Sequence, residues 1–191
     1  NQFDSKDFEN LFVGKKYCLA CASCGSAIYI ALKSAGVAPG DKILANAYTL
    51  APVPGAMENA GGVPVLVEIV EDYTIDLDDL EKKAGETGAK YLLLSHMRGH
   101  MADMDRICNL CARYGILLIE DCAHTMGAAW DGKPSGSFGN VSCYSTQTYK
   151  HMNSGEGGLL VTDDDAVMAK AILYSGAYML YDRHLSRPAM E

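Results

Sequence analysis

A lysine, Lys150, stands among hydroxyl and amide side chains directly before a run of glycines, in the stretch YSTQTYKHMNSGEGG from Tyr144 to Gly158. Lysine is usually a solvated surface residue. Its place beside a tight, flexible turn therefore indicates either an ordinary surface position or a reactive amine.

Asp121 ends the strongest buried-strand pattern of the chain, GILLIED. A carboxylate there is costly unless it faces a cation or hydrogen-bond donors, so it is either a cap for the following turn or the partner of a positive charge. His124 lies three residues further on and is either a polar loop residue or a site residue.

The Gly25–Ser26 turn opens a predicted helix. Free N–H groups and the helix dipole at such a turn favour an anion, and the Ser26 hydroxyl adds a donor. The stretch matches neither a Walker loop nor the G-x-G-x-x-G pattern, so by itself it fits a plain helix cap equally well.

A phosphate seat, a buried carboxylate and an enclosed lysine have one economical explanation together, which is pyridoxal 5′-phosphate. Lys150 would form the Schiff base and Asp121 would pair with the protonated ring nitrogen. The amine of Lys150, once released, could carry a proton between the substrate Cα and C4′ of the cofactor.

Short apolar runs alternate with amphipathic segments along the chain, which predicts an α/β fold with a mainly parallel sheet covered on both faces. The last strand is expected to be antiparallel or out of order. Ligands of such sheets gather at the carboxyl ends of strands, where all three candidate sites fall. The predicted strands are 16–21, 41–47, 63–69, 90–96, 115–121, 140–146 and 157–163, and the predicted helices are 26–34, 51–59, 77–84, 104–114 and 165–174.

The bulk composition narrows the function. The 191 residues carry a net charge of −8 and are 49% hydrophobic, which favours one folded domain and disfavours nucleic-acid and anionic-membrane surfaces. No apolar run is long enough for a membrane helix, and the polar start NQFDSKDFEN is not a signal peptide. The chain lacks an initial Met, so we expect a fragment of a longer protein.

Seven cysteines include a C-x2-C-x2-C set at Cys18, Cys21 and Cys24 and a C-x2-C pair at Cys108 and Cys111. Such spacing can hold zinc or an iron–sulfur cluster. Strand alternation would separate Cys18 from Cys21, however, and no fourth ligand follows Cys24, so we expect structural thiols and no metal. An odd count suits a reducing compartment, here the cytoplasm.

Six motifs, in order, resemble the DegT/DnrJ/StrS sugar aminotransferase family of fold-type I pyridoxal-phosphate enzymes. The similarity runs from about Phe8 to Gly176. The motifs are CASCGSAIYIAL, APGDKILANAYTLAP, GGVPVLVEI with YTIDLDDLE, SHMRGHMADMDRI, LLIEDCAHTMGAAWDGKPSGSFGN and YSTQTYKHMNSGEGGLLVTDD.

The resemblance implies a role for each candidate residue. Lys150 becomes the Schiff-base lysine and Asp121 the partner of the pyridine nitrogen. His124 becomes a contact near the ring or its O3′, and Ser145 joins the Gly25–Ser26 turn in binding phosphate. The glycines after Lys150 are expected to let the backbone pass close to the cofactor.

The resemblance also implies the architecture: residues 1–191 would be the three-layer α/β/α large domain, with a sheet of about seven strands. Family members are about twice as long, with a smaller C-terminal domain, and their active sites lie between the subunits of a homodimer. Two positions depart from the family pattern. Asn46 replaces a proline, and Leu50 stands where an aromatic residue stacks on the cofactor, which leaves Leu50 and Tyr48 as candidates for that contact.

The implied reaction is transfer of an amino group from an amino acid, expected to be glutamate, to a keto-sugar or keto-cyclitol. The alternatives are a sugar dehydratase of the same fold, a non-catalytic subunit and a metal-binding module. The dehydratases replace the lysine by histidine, whereas here His151 lies one position away from Lys150. An intact Asp121 and Lys150 pair disfavours the non-catalytic subunit.

Overall fold

The computed structural model describes residues 14–183 and 187–188. The predicted absence of a signal peptide concerns residues that lie outside this part. All seven predicted strands are present and form one sheet. They are β1 (Tyr17–Cys21), β2 (Lys42–Asn46), β3 (Val63–Val67), β4 (Tyr91–Ser95), β5 (Leu117–Asp121), β8 (Val141–Ser145) and β9 (Gly158–Thr162), and β6 (Ala129–Trp130) and β7 (Lys133–Pro134) form a separate small hairpin. The order of strands in the seven-stranded sheet is β1-β9-β8-β5-β4-β2-β3.

Strand β9 runs antiparallel to both of its neighbours, β1 and β8. The other pairings, from β8 through β5, β4 and β2 to β3, are parallel. The sheet is therefore mixed and mainly parallel, and the expectation of an antiparallel last strand is confirmed.

Helices cover both faces of the sheet, which confirms the three-layer arrangement. Successive side chains of a strand point to opposite faces, and in β4 Leu93 joins one core while Leu92 and Leu94 join the other. The helices on the first face are α1 (Cys24–Ala35), α2 (Pro52–Asn59) and α5 (Asp165–Tyr174), and those on the second are α3 (Leu77–Thr87) and α4 (Met104–Tyr114). Short 3₁₀ helices span Met97–Gly99 and Ala177–Arg183. Within the described residues, no helix has the length and apolarity needed to cross a membrane.

Two helix boundaries differ from the prediction by more than one residue. Helix α1 begins at Cys24 rather than Ser26, because the side chain of Ser23 caps it and accepts the N–H of Ser26. Helix α3 does not end before Gly85. It continues to Thr87 and ends at Gly88, whose φ of 62° supplies the left-handed turn.

Candidate active site

Asp121 ends β5 at the carboxyl edge of the sheet and is 7% exposed. Its Oδ1 accepts the backbone N–H of Ala123 at 3.1 Å, and its Oδ2 accepts the hydroxyl of Ser95 at 3.0 Å. The thiol of Cys24 lies 4.0 Å from Oδ1. Within residues 14–183 and 187–188, no basic side chain forms an ion pair with this carboxylate, which leaves a buried negative charge open to a cation.

Lys150 lies in the turn between β8 and β9 and is partly buried. It lines a cavity of about 250 Å³ together with Asp121, Gly25 and Ser145. Four of the six predicted site residues therefore surround one space. In the described part of the chain the Lys150 ammonium has no carboxylate partner either.

The N-terminus of α1 forms one wall of this cavity through Ser23, Cys24 and Gly25. The N–H groups of Cys24 and Gly25 belong to the first turn, where a helix leaves its donors without intrahelical partners. On β8, Ser145 is 6% exposed, and its hydroxyl accepts the N–H of Gln147 at 3.3 Å. Hydroxyl and N–H donors thus meet at a helix N-terminus, an arrangement suited to a phosphate.

Ser26 is placed differently from the prediction. Its N–H is bound to the hydroxyl of Ser23 at 3.1 Å, and its own hydroxyl lies 3.0 Å from the same oxygen. It lines grooves outside the Lys150 cavity, one of them shared with Gly25 and Tyr29. Gly25 therefore lines the Lys150 cavity and Ser26 does not, while the phosphate-binding role of both stays a prediction.

Sequence reasoning missed three polar residues of the cavity wall, which are Ser23, Gln147 and Glu156. Gln147 and Glu156 lie in the same stretch as Lys150, from Tyr144 to Gly158. Ser23 had a readable signal, because serine is a preferred residue immediately before a helix.

His124 lines a second cavity of about 560 Å³, which shares Leu50, Ala123 and Lys150 with the first. Its Nδ1 accepts the backbone N–H of Arg98 at 3.3 Å. Partial burial, followed by the nearby charge of Lys150, lowers the pKa of His124. The imidazole is therefore held neutral, with Nε2 as the remaining donor.

The two candidates for a ring contact occupy different places. Leu50 is 48% exposed and lines both cavities. Tyr48 lines only the larger one, where its ring packs against Tyr73 with centroids 5.3 Å apart. Of these two candidates, Leu50 is thus the one that lines the cavity of Lys150 and Asp121.

The glycines after Lys150 serve packing more directly than was expected. A Cβ on Gly158 would lie 2.3 Å from the carbonyl oxygen of Ser23 and 2.6 Å from the nitrogen of Cys24. A Cβ on Gly157 would lie 2.4 Å from Oγ1 of Thr146. Gly158 therefore lets β9 touch the start of α1, and the expectation that these glycines let the backbone pass close to the cofactor stays a prediction.

None of the seven cysteines, all of which lie in the described residues, forms a disulfide. Burial raises the pKa of Cys21 and of Cys111 to about 12. The His, Cys, Asp and Glu side chains that lie close enough to share a metal, in the part that the structure describes, are His96, Glu120 and Cys122. None of these belongs to a C-x2-C set, so the geometry does not support metal binding by those sets.

Comparison with known proteins identifies the family. Residues 3–183 match the model of the DegT/DnrJ/EryC1/StrS aminotransferase family, and the chain belongs to this family. It is 34% identical over 177 residues to the GDP-perosamine synthase of Caulobacter vibrioides, covering 91% of this chain and 47% of that protein. It is also 34% identical over 161 residues to the L-glutamine:scyllo-inosose aminotransferase of Streptomyces griseus, covering 84% of this chain and 38% of that one.

The fold agrees with the family. The crystal structure of 3-amino-5-hydroxybenzoic acid synthase superimposes with a TM-score of 0.80 at 32% identity, over 88% of this chain and 45% of that one. The α/β fold of the described residues is therefore that of the fold-type I large domain, as predicted. The chain spans less than half the length of the curated relatives it matches.

Proposed function

We propose that this chain is the cofactor-binding part of a pyridoxal-phosphate-dependent aminotransferase, in which Lys150 carries the cofactor and Asp121 pairs with the ring nitrogen. One observation carries the proposal. Asp121 is buried and shares a cavity with Lys150, and within the described residues neither side chain forms an ion pair. A protonated pyridine ring linked to Lys150 satisfies both groups.

The residues present fit this cofactor. The first turn of α1 with Gly25 and Ser145 would hold the phosphate, Leu50 would cover the ring, and His124 would contact its edge. When bound, pyridoxal 5′-phosphate supplies an electron sink for the negative charge that develops at the substrate Cα. Asp121 keeps the ring nitrogen protonated, and Nζ of Lys150 is the group placed to move a proton at Cα.

Two hydrogen bonds orient Asp121 for this role. Ser95 donates its hydroxyl to Oδ2, while its backbone N–H is held by the side chain of Asn46 at 2.9 Å and its Oγ lies 2.8 Å from the hydroxyl of Thr49. Asn46, where the family pattern has proline, is thus a buried anchor for the residue that orients Asp121.

The proposed substrates are an amino-acid donor, glutamate or the closely related glutamine, and a keto-sugar or keto-cyclitol acceptor. The sequence alone led us to expect glutamate as the donor. We add glutamine because the relative from Streptomyces griseus is named for L-glutamine and scyllo-inosose. The proposal includes a cytoplasmic setting, with which the seven free thiols agree.

The alternatives within the same fold make different demands. A dehydratase of this family carries histidine at the lysine position, whereas Lys150 borders both cavities and His151 borders only the larger one. A non-catalytic subunit has no need of the paired Lys150 and Asp121 charges. Both observations favour the aminotransferase.

The test is an absorbance spectrum of the full-length protein with pyridoxal 5′-phosphate, before and after addition of glutamate or glutamine. We expect a yellow, lysine-linked form that the donor converts to the pyridoxamine form. Lys150→Ala should abolish the yellow band, while Lys133→Ala, at an exposed position in β7, should keep it. A yellow band retained by Lys150→Ala would refute the assignment of Lys150.

We further propose that the full-length protein is a homodimer. Sedimentation at the concentrations used for assay tests this directly, and a fully active monomer would contradict it.

A further inference from the structure

The larger cavity has an unusual charge for this chain. Its lining holds the cationic side chains of Arg98 and Lys150 beside the imidazoles of His124 and His151, and none of its lining residues in the described part is acidic. The whole chain nevertheless carries a net charge of −8. The described lining of this opening therefore lacks acidic side chains, although Asp and Glu outnumber Lys and Arg in the whole chain.

The backbone at Arg98 is strained. Its φ of 58° and ψ of 15° lie in the left-handed region, which is sterically unfavourable for a non-glycine residue. Such strain persists where the surroundings hold it, and it clusters at functional sites. Here the Arg98 N–H donates to Nδ1 of His124 at 3.3 Å, and its Nε donates to the hydroxyl of Tyr48 at 3.2 Å.

A second strained residue converges on the same place. Tyr73 has a φ of 69°, and its ring packs against that of Tyr48 at a tilt of 43°. Tyr73 and Arg98 are two of the three non-glycine residues with positive φ in the described part of the chain. Both contact Tyr48, which therefore fixes the direction of the Arg98 side chain.

Tyr48 holds the guanidinium of Arg98 but leaves most of its N–H donors available for a ligand. Of its five N–H donors, the one on Nε is bound to Tyr48, and no carboxylate of the described residues forms an ion pair with it. The other arginines of the helical layer differ, because Arg106 and Arg113 are paired with Asp78 and Glu81. Arg98 keeps four donors in a planar fork, the geometry that matches a carboxylate or a phosphate.

We propose that Arg98 is a specificity-determining residue that binds an oxyanion of the substrate at the mouth of this cavity, assisted by His124 and His151. This inference rests on the proposed function, since it assigns the anion to a molecule that reacts beside Lys150. The anion is either the carboxylate of the amino-acid donor or a phosphate carried by the acceptor.

The test is calorimetric titration of the full-length protein, saturated with pyridoxal 5′-phosphate so that the phosphate seat is filled. Succinate and inorganic pyrophosphate serve as non-reacting probes. We expect Arg98→Gln to weaken the binding of one of them at least tenfold, since a hydrogen bond to a charged group is lost. Arg98→Lys should show an intermediate loss, because charge remains without the fork, and the surface control Arg113→Gln should match wild type.

The two probes distinguish the sources. A loss confined to succinate assigns Arg98 to the donor carboxylate, and a loss confined to pyrophosphate assigns it to a carried phosphate. If neither probe binds wild type, or if Arg98→Gln binds both as wild type does, the proposal is overturned. Failure of the proposed function would appear separately, as absence of the yellow band.

Tyr48→Phe gives a second variant that does not remove the charge. It deletes the hydroxyl that holds Nε, so we expect weaker probe binding than in wild type but stronger binding than in Arg98→Gln. Binding equal to wild type in Tyr48→Phe would show that the fixed direction of Arg98 has no part in recognition.

Discussion

Glu120 and Asp121 are neighbours in β5, and strand alternation sends their carboxylates to opposite faces of the sheet. Glu120 is fully buried and accepts the backbone N–H groups of Gly136 at 3.0 Å and Phe138 at 2.9 Å, as well as that of Gly139. The ring of His96 lies 3.1 Å from its Oε2. Asp121 instead accepts the hydroxyl of Ser95 and the N–H of Ala123, and it also faces the cavity that Lys150 lines.

The pKa of Glu120 shows what its surroundings do. Burial raises it, but the hydrogen bond and charge of His96 and the N–H groups of Gly139 and Gly136 outweigh burial, so the net pKa is lowered. A carboxylate whose oxygens are fully occupied has no capacity left for a ligand, and its role is structural. A carboxylate with fewer donors and an open side can take part in chemistry.

Asp121→Asn gives the largest expected effect on activity. Asparagine keeps one side-chain oxygen, which can accept from Ser95 or from Ala123 but not from both, and it cannot hold a proton on a ring nitrogen. We expect turnover to fall by a factor of about 10⁴ or more, equal to about 5 kcal/mol on the barrier. Unfolding by denaturant should show equal or slightly higher stability, because an unpaired buried charge is removed. Near-normal turnover would show that the charge of Asp121 is not needed for the reaction.

Glu120→Gln should have the opposite consequence. The amide places N–H groups against backbone donors and breaks a buried pair with His96, which we expect to cost about 3–5 kcal/mol of unfolding free energy. Turnover per folded molecule should stay near wild type when assayed with saturating cofactor. A stable but inactive variant would show that Glu120 acts in catalysis.

Gly136→Ala probes the closed surroundings of Glu120 without changing a charge. The new Cβ would lie 1.9 Å from the hydroxyl oxygen of Tyr144, at a φ of 87° that disfavours alanine. We expect a loss of about 2–3 kcal/mol in unfolding free energy. Gly55→Ala is the control, because nothing lies within 4 Å of its added Cβ inside α2, and it should gain about 0.5–1 kcal/mol.

Acid should weaken the fold partly through Glu120. Its folded pKa lies below the ordinary value of 4.5, so its contribution is complete above about pH 4.5 and is lost as the pH falls through the folded pKa. One proton limits the slope to about 1.4 kcal/mol per pH unit. Chemical unfolding between about pH 5 and about pH 3 should therefore show a steeper loss in wild type than in Glu120→Gln. Parallel profiles would contradict this.

Ser95→Ala gives the smallest expected effect. It removes one donor from Asp121 and leaves the N–H of Ala123, so we expect about 1 kcal/mol, or roughly fivefold in turnover. Ser95→Thr, which keeps the hydroxyl, should restore most of the activity. Full activity in Ser95→Ala would mean that Asp121 needs no orientation by Ser95.

The strands, the layers and four cavity residues could be predicted because each has a local signal. Apolar periodicity gives strands and helices, and the carboxyl-end rule gathers Lys150, Asp121, Gly25 and Ser145. Sheet order has no such signal, so the position of β9 between β1 and β8 came only from the structure. The predicted start of α1 at Ser26 was two residues too late, because the hydroxyl of Ser23 caps the helix and sets its start at Cys24.

The contacts of Arg98, Tyr48 and Tyr73 could not be predicted from the sequence. They join three loops that are far apart in the chain. Tyr73 and Arg98 also adopt a positive φ, which their residue types do not predict. Ser95 and Asn46 were hidden in the same way, because each reads locally as the end of a strand. Residues that position Asp121 or face the cavity mouth are fixed by tertiary contacts rather than by local pattern.

The pairing of β1 with β9 has a consequence for biosynthesis. Strand β1 pairs within the described sheet only with residues 158–162, which leave the ribosome about 140 residues later. At roughly 5–20 residues per second this delay is on the order of ten seconds. During that time the segment from Tyr17 to Cys21 lacks the partner strand of the folded sheet, so its backbone N–H and C=O groups stay open to pairing with other chains.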